Sequence, residues 1–327
     1  MMKIGRDFTN LLNTSFLTEK ERTELKKGTL AVADMDARVQ IRAKADIINQ
    51  IKVAKETGLD HVELDGGVPN PYLEIPTEKL SEAKEFARKQ GITISFHLPY
   101  TFVAAATASF QESDRRAAVE LLKRYIDVAA LLGCNNVNMH PGAVPFYQTV
   151  GEYKKIVKSS VIKSLEELAP YAESGGLVFH LENNTAFDSI CFEVAECIEM
   201  IDAANKNGSK VRFCFDIGHW FTRADIGLKI PEPPEDIVNE IPDGYLGQIH
   251  LNDYIPVVKK FHPPLHYEKG LLKRANLVRL VKMLKSKGAD LIVVETAVRE
   301  VDELLDARNL MDAESRFLRS VLEEAGV

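Results

Sequence analysis

Six stretches that read as β-strands in this sequence end on residues able to bind a metal ion. ISFHLPY delivers His97, VNMHPG His140, LVFHLENN Glu182, VRFCFDIGHW Asp216, GQIHLNDY His250 and LIVVETA Glu295. His219 follows Asp216 by three residues, in the turn after its strand. Ligands of parallel α/β proteins bind at the carboxyl ends of the strands, so this repetition points to one shared centre. A single strand-end carboxylate caps a helix or pairs with a lysine as readily as it binds metal. Its recurrence over consecutive strands carries the reading.

Glu182, Asp216, His250 and Glu295 offer three carboxylates and one imidazole. Hard oxygen donors with one nitrogen suit a divalent ion such as Mn²⁺, Co²⁺, Mg²⁺ or Zn²⁺ without singling one out. His97 and His140, with Glu182 bridging, could hold a second ion, and two imidazoles bias that site toward zinc. His219 and His266 could contribute to a third, giving a range of one to three ions per chain. Tyr100 and Trp220 sit beside these ligands and would serve as pocket walls, although burial alone accounts for an aromatic. Glu63 and Asp65 share a strand face; Glu63 either touches substrate or joins an internal ion pair. His180 reads as a satisfied core histidine, and His61, at the start of its strand, lies at the stabilising face.

The elements that must position these residues alternate regularly. GTLAVADM is expected as a first strand, followed by a helix over Ile41–Thr57 with Ile47, Ile48, Ile51 and Ala54 at helical spacing. HVELDGG, ITISFHLPY, NVNMHPG, LVFHLENN, VRFCFDIGH, LGQIHLND and LIVVETA are the further strands. Helices between them stop at Gly91, Gly133, Gly175–Gly176 and Gly208. Eight strand–helix units with helical crossovers predict a single (β/α)8 TIM barrel rather than an open sheet, because only a closed ring aims every strand end at one axis. The expected division is a short N-terminal helical extension over residues 1–28, with a capping box at Thr18 and Glu21, and a barrel domain over 29–327.

With 327 residues, 45% hydrophobic and 27% charged, the chain is long enough for one large barrel. A formal net charge of −7 gives no global attraction to a polyanion, which disfavours DNA as a partner. Lys259 and Lys260 form one basic pair near the mouth, and the DGGVPNPYLEIP loop offers no phosphate contact. Cys134, Cys191, Cys197 and Cys214 lack CxxC spacing and are expected as buried thiols in a reducing cytoplasm. No apolar run approaches a bilayer span. The extension could pack across a homo-oligomer interface.

In order, HLPY, HPG, LENNT, FDIGH, IHLND and VVET resemble the xylose isomerase-like TIM-barrel superfamily, from about Gly28 to the C-terminus. That superfamily contains sugar and sugar-phosphate isomerases and epimerases together with the endonuclease IV-like abasic-site repair enzymes. The repair branch implies one zinc on His97, His140 and Glu182 and a second on Glu182, Asp216, His250 and Glu295. It implies a third on His219, His266 and an aspartate, but that aspartate position falls on Pro264, which cannot ligate; Asp253 or His262 would have to substitute. The epimerase branch implies one Mn²⁺-like ion on Glu182, Asp216, His250 and Glu295, with Glu182 and Glu295 moving protons at a substrate carbon and His219 touching sugar oxygens. The ion lowers the pKa of a C–H beside a carbonyl, and opposed carboxylates remove and return the proton. The acidic loop after the second strand, the Glu63 position and the DIGH spelling look more like the sugar-isomerase branch and favour a metal-dependent isomerase or epimerase of a sugar, sugar phosphate or similar small polyhydroxylated substrate. Zinc-dependent cleavage of abasic DNA is the alternative, and a non-catalytic ligand-binding barrel is a third class.

Overall fold

The computed structural model describes residues 2–327. Eight parallel strands close into a barrel: β1 (Lys3–Asp7), β2 (His61–Asp65), β3 (Thr93–His97), β4 (Asn136–Met139), β5 (Val178–Glu182), β6 (Val211–Asp216), β7 (Leu246–Leu251) and β8 (Leu291–Glu295). Each pairs with its sequence neighbours, and β1 closes the ring by pairing with β8 from Lys3–Leu291 to Asp7–Glu295. A two-stranded hairpin, Tyr254–Ile255 with Lys260–Phe261, stands outside the ring after β7.

The first strand departs from expectation. GTLAVADM is not a strand: Leu30 is buried before the helix Val32–Ala45, in which Met35 and Val39 face the core at helical spacing. The segment before residue 28 is therefore not a purely helical addition, because it supplies β1. KIGRD conceals this role behind four polar or small residues. Gly5 is required where β1 meets β2, since a Cβ there would come within 2.7 Å of the His61 ring. Arg6 is fully buried and pairs with Glu314 at 2.9 Å, so a contact 308 positions away makes a charged residue acceptable inside the fold. The expected Thr18–Glu21 capping box is formed, over the helix Glu19–Lys26. The single helix expected over Ile41–Thr57 is divided at Asp46, which caps Ile47–Glu56 by accepting from the Asn49 N–H.

Hydrophobic burial lies mainly between the sheet and the surrounding helices. The helix Glu112–Leu132 buries Ala118, Leu122, Tyr125, Ala129 and Leu132 on one face and stops at Gly133, φ 68°. Inside the ring the filling is polar. His61 lies between Thr93 and Ser95 (2.8 and 2.7 Å), and His180 meets Asn138 and Asn136 (2.9 and 3.2 Å), as expected of satisfied core histidines. Burial holds both well below the usual histidine range, His61 at about 4 and His180 at about 3. All four cysteines are buried and free. No helix among the described residues is long and apolar enough to cross a membrane.

Glu314 also accepts from the Leu265 N–H at 2.6 Å and the Thr296 hydroxyl at 2.8 Å, so it ties β1, the end of β8 and the loop after the hairpin to the last helix, Ala307–Ala325. Glu314→Ala is expected to cost about 3–5 kcal/mol in urea unfolding by leaving Arg6 unpaired. Arg6→Met combined with Glu314→Leu should recover most of that loss; a single variant as stable as the parent would contradict this assignment.

Candidate metal centre

The strand ends converge as the sequence implied. Glu182, from β5, is completely buried and central: His97 Nε2 is 3.2 Å from its Oε2, while His140 Nε2 and His219 Nδ1 lie 3.6 and 3.5 Å from its Oε1. His250 Nδ1 is 3.1 Å from Oε1 of both Glu182 and Glu295. Asp216 caps the short helix Ile217–Phe221 by accepting from the His219 N–H at 2.6 Å. Asn252 donates to Asp216 at 2.6 Å and to Glu295 at 3.1 Å, joining β6 to β8. Gly218 makes this approach possible, since a Cβ there would stand 1.6 Å from the Asn252 side-chain oxygen.

Beneath this layer, Glu63 Oε1 contacts His250 Nε2 at 2.8 Å. Its Oε2 accepts from Asn138 and Gln248, both at 2.6 Å, and from Ser95. Glu63 is fully buried and does not line the cleft, so the expectation of a substrate contact is corrected: it positions His250. A carboxylate on one imidazole nitrogen leaves the other, Nδ1, to face Glu182 and Glu295.

The fit to a divalent cation rests on two observations. Glu182 Oε1 and His250 Nδ1 are buried atoms without a hydrogen-bond partner, yet they face each other across 3.1 Å. Ligand atoms also fall into groups within 4.8 Å of one another: His97, His140 and Glu182; His97, His250 and Glu295; and Asp216, His219 and His262. The electrostatics agree. Burial opposes charge on His97, but the hydrogen bond and charge of Glu182 prevail and lift it to about 10. Burial opposes charge on His250 too, but Cys214, Glu182, Glu295 and Glu63 raise it well above its usual range. Burial pushes the Glu63 carboxyl up, while His250 and His97 outweigh that and hold it at about 2. Burial, with Asp216 and Glu182 nearby, raises Glu295, whereas His250 and His140 overcome burial to depress Glu182. The carboxylates thus demand positive charge, which protons on imidazole or a metal ion can supply.

Two expected members lie elsewhere. His266 does not line the cleft; it sits on the turn Leu265–Tyr267, held toward the last helix by the Leu265–Glu314 bond, with its ring against Tyr267. His262, by contrast, lines the cleft, 3.8 Å from Glu295 Oε2 and beside the His219 ring. Asp253 does not substitute for Pro264, because its carboxylate is consumed by the N–H groups of Tyr254, Leu271 and Leu272. Trp220 is 1% exposed and packs under the Arg223 guanidinium, 4.3 Å from its ring, so it belongs to the core and not to a pocket wall. Tyr100 does line the cleft, its ring 5.3 and 5.2 Å from those of His97 and His140.

The cleft has a volume of about 350 Å³, within the range of small-molecule sites. Its wall also includes Asp7 and Asp65, from the ends of β1 and β2, together with Asn184 and Asp188. Burial, then the charges of Asp65 and Glu63, push the Asp7 carboxyl up to about 7. Sequence reasoning missed Asp7 because its strand was unrecognised, and it missed Asn252 although IHLND contains it.

Glu63→Gln is expected to weaken divalent-ion binding about 10–100-fold, read by titrating Mn²⁺ or Zn²⁺ in competition with a fluorescent chelator. Unchanged affinity would contradict the positioning role.

Comparison with known proteins shows what the chain is similar to. An uncharacterized protein of Methanocaldococcus jannaschii is 26% identical over 228 residues, covering 66% of this chain and 80% of that protein. A probable endonuclease 4 of Latilactobacillus sakei is 25% identical over 228 residues, 67% of this chain and 71% of its own. Among solved structures, D-psicose 3-epimerase from Clostridium cellulolyticum H10 aligns with a TM-score of 0.68 at 17% identity, covering 98% and 99% of the two chains. The 3-keto-D-glucoside 4-epimerase of E. coli aligns with a TM-score of 0.61 at 18% identity, covering 98% and 100%. Residues 51–321 match the family model of the xylose isomerase-like TIM barrel, and the chain belongs to that family.

Proposed function

We propose that this protein is a divalent-metal-dependent isomerase or epimerase of a sugar or similar small polyhydroxylated substrate, working by proton transfer between Glu182 and Glu295. The observation that carries this reading is the pair of carboxylate oxygens, Glu182 Oε1 and Glu295 Oε1, each 3.1 Å from His250 Nδ1 at the base of a cleft of small-molecule size. Glu182, Asp216, His250 and Glu295 would hold the ion. When bound, it supplies Lewis acidity toward a carbonyl and its neighbouring hydroxyl.

The chain's own groups do the rest. One glutamate takes the proton from the carbon beside the carbonyl, and the electron pair left behind delocalises into that carbonyl. The other glutamate delivers a proton to the opposite face for epimerisation, or, for isomerisation, to the former carbonyl carbon while the neighbouring hydroxyl proton passes to the former carbonyl oxygen. His219 and Tyr100 line the cleft above them, where they can hydrogen-bond substrate hydroxyls. Burial excludes bulk water from the two carboxylates.

Zinc-dependent phosphodiester cleavage is the second reading, favoured by the His97–His140–Glu182 and Asp216–His219–His262 groups. The cleft wall weighs against it. Among the described residues that line it there is no lysine or arginine, whereas DNA binding relies on cations against phosphates. A cytoplasmic setting is part of the proposal, supported by the four free buried thiols.

Glu182→Gln and Glu295→Gln are each expected to lower turnover of a ketose by at least about 10³-fold while circular dichroism stays that of the parent. Conversion followed by proton NMR with Mn²⁺ present checks this, and full activity in either variant would remove the proton-transfer assignment.

A further inference from the structure

An apolar stripe on the helix Gly151–Ser174 runs farther than the body it packs against. Val157, Val161, Leu165 and Leu168 are buried against the barrel at helical spacing. Val150, just before the helix, and Tyr153 continue that stripe by the same i, i+3 and i+4 steps, yet they are 62% and 50% exposed. Phe146 and Tyr147, on the turn that leads into the helix, stand out as well, with Phe146 79% exposed. Phe110 meets Tyr153 from the side, their ring centroids 6.1 Å apart. Phe102, 80% exposed, begins the segment Phe102–Ala108 that ends just before Phe110.

These side chains form one face, because Phe102–Ala108 packs on the loop after β4, where the Ala143 N–H donates to the Ala105 carbonyl at 3.0 Å. With aromatic side chains of about 150–250 Å² each, their exposures amount to about 700 Å². The largest apolar patch of a typical monomer is about 300–600 Å², whereas each partner in a standard interface contributes about 800 Å². The charges at the edge are closed within the chain: Lys155 lies 2.6 Å from Glu152, Lys154 2.9 Å from Glu196 and Arg116 3.0 Å from Glu112. Cations already answered in this way are poor ligands for an anionic bilayer or a nucleic-acid backbone. An edge that carries both signs in pairs can meet its own copy without a block of like charge.

We propose that this face joins two copies of the chain about a twofold axis, with Phe146, Val150 and Tyr153 at the centre of the contact. A twofold contact is self-complementary and closes with two copies, so the whole face is covered and no further copy is recruited. The contact borders the cleft. Gly142, Ala143 and Tyr100 line the cleft wall, and Phe102 follows Tyr100 by two residues. The second copy therefore stands beside the mouth on the β3–β4 side, where it narrows the approach of a substrate. The pairing requires neither a metal ion nor the reaction proposed above.

Sedimentation velocity of the full-length protein at micromolar concentrations is expected to show a dimer. Phe146→Glu and Tyr153→Glu should each weaken association by at least about 30-fold, the loss of one hot spot in a contact that carries every substitution twice. Circular dichroism and melting temperature are followed alongside; should Tyr153→Glu disturb the fold through Phe110, Phe146→Glu decides alone. Leu131→Glu, an exposed apolar position at the far end of the helix Glu112–Leu132, should leave the dimer intact. A monomeric parent, a dimer that survives Phe146→Glu, or equal dissociation by Leu131→Glu would each overturn the proposal. A monomeric parent that binds vesicles of phosphatidylcholine and phosphatidylglycerol through Phe146 would overturn it in favour of a membrane surface.

Discussion

Carboxylates buried on one axis of a barrel cannot all remain ionised unless positive charge is placed among them, and the structure at the top of this barrel answers that constraint. Glu63, Glu182, Asp216 and Glu295 are all buried, and the lysines and arginines stay out of the cleft wall. Compensation falls to imidazoles, with His250 at the middle: Glu63 on one nitrogen, Glu182 and Glu295 against the other. Such an arrangement costs stability while no cation is bound and would gain it on cation binding, in keeping with the proposed metal centre.

The polar interior of the ring follows from the same constraint. In the proposed metal centre His250 needs its far nitrogen held, which Glu63 does from a buried position, and a buried carboxylate needs donors, which Ser95, Asn138 and Gln248 provide. Asn138 and Asn136 in turn engage His180, and Ser95 engages His61, so the chain of hydrogen bonds runs the depth of the barrel. The hydrophobic driving force is displaced outward, to the layer between strands and helices. The Arg6–Glu314 pair applies the same logic outside the ring, where it joins β1 to the last helix and the loop after the hairpin.

The barrel and the convergence of most candidate ligands were legible because their signals are local: an apolar run, a ligand-type residue at its end, a glycine stop after most of the crossover helices. His97, His140, Glu182, Asp216, His219, His250 and Glu295 all lie where their strands implied. What escaped depends on contacts distant in sequence. KIGRD reads as polar until Glu314 is placed against Arg6, and with that strand went Asp7. Two histidines four residues apart, His262 and His266, cannot be ranked without knowing that the turn at Leu265 is held toward the last helix. Trp220 follows a ligand directly in sequence, but the short helix begun at Asp216 turns it into the core. Glu63 was recognised as one of two alternatives, and only the position of His250 Nε2 separates them.

The central claim is that two glutamates on one metal centre move a proton at a carbon atom. The most direct measurement is incorporation of solvent deuterium into a ketose, at the carbon adjacent to its carbonyl, by protein loaded with Mn²⁺ and by the same protein after chelation. The account requires deuterium at that single carbon with the metal-loaded protein and none after chelation. Absence of exchange with every such substrate, together with metal-dependent cleavage of an abasic-site duplex, would contradict it.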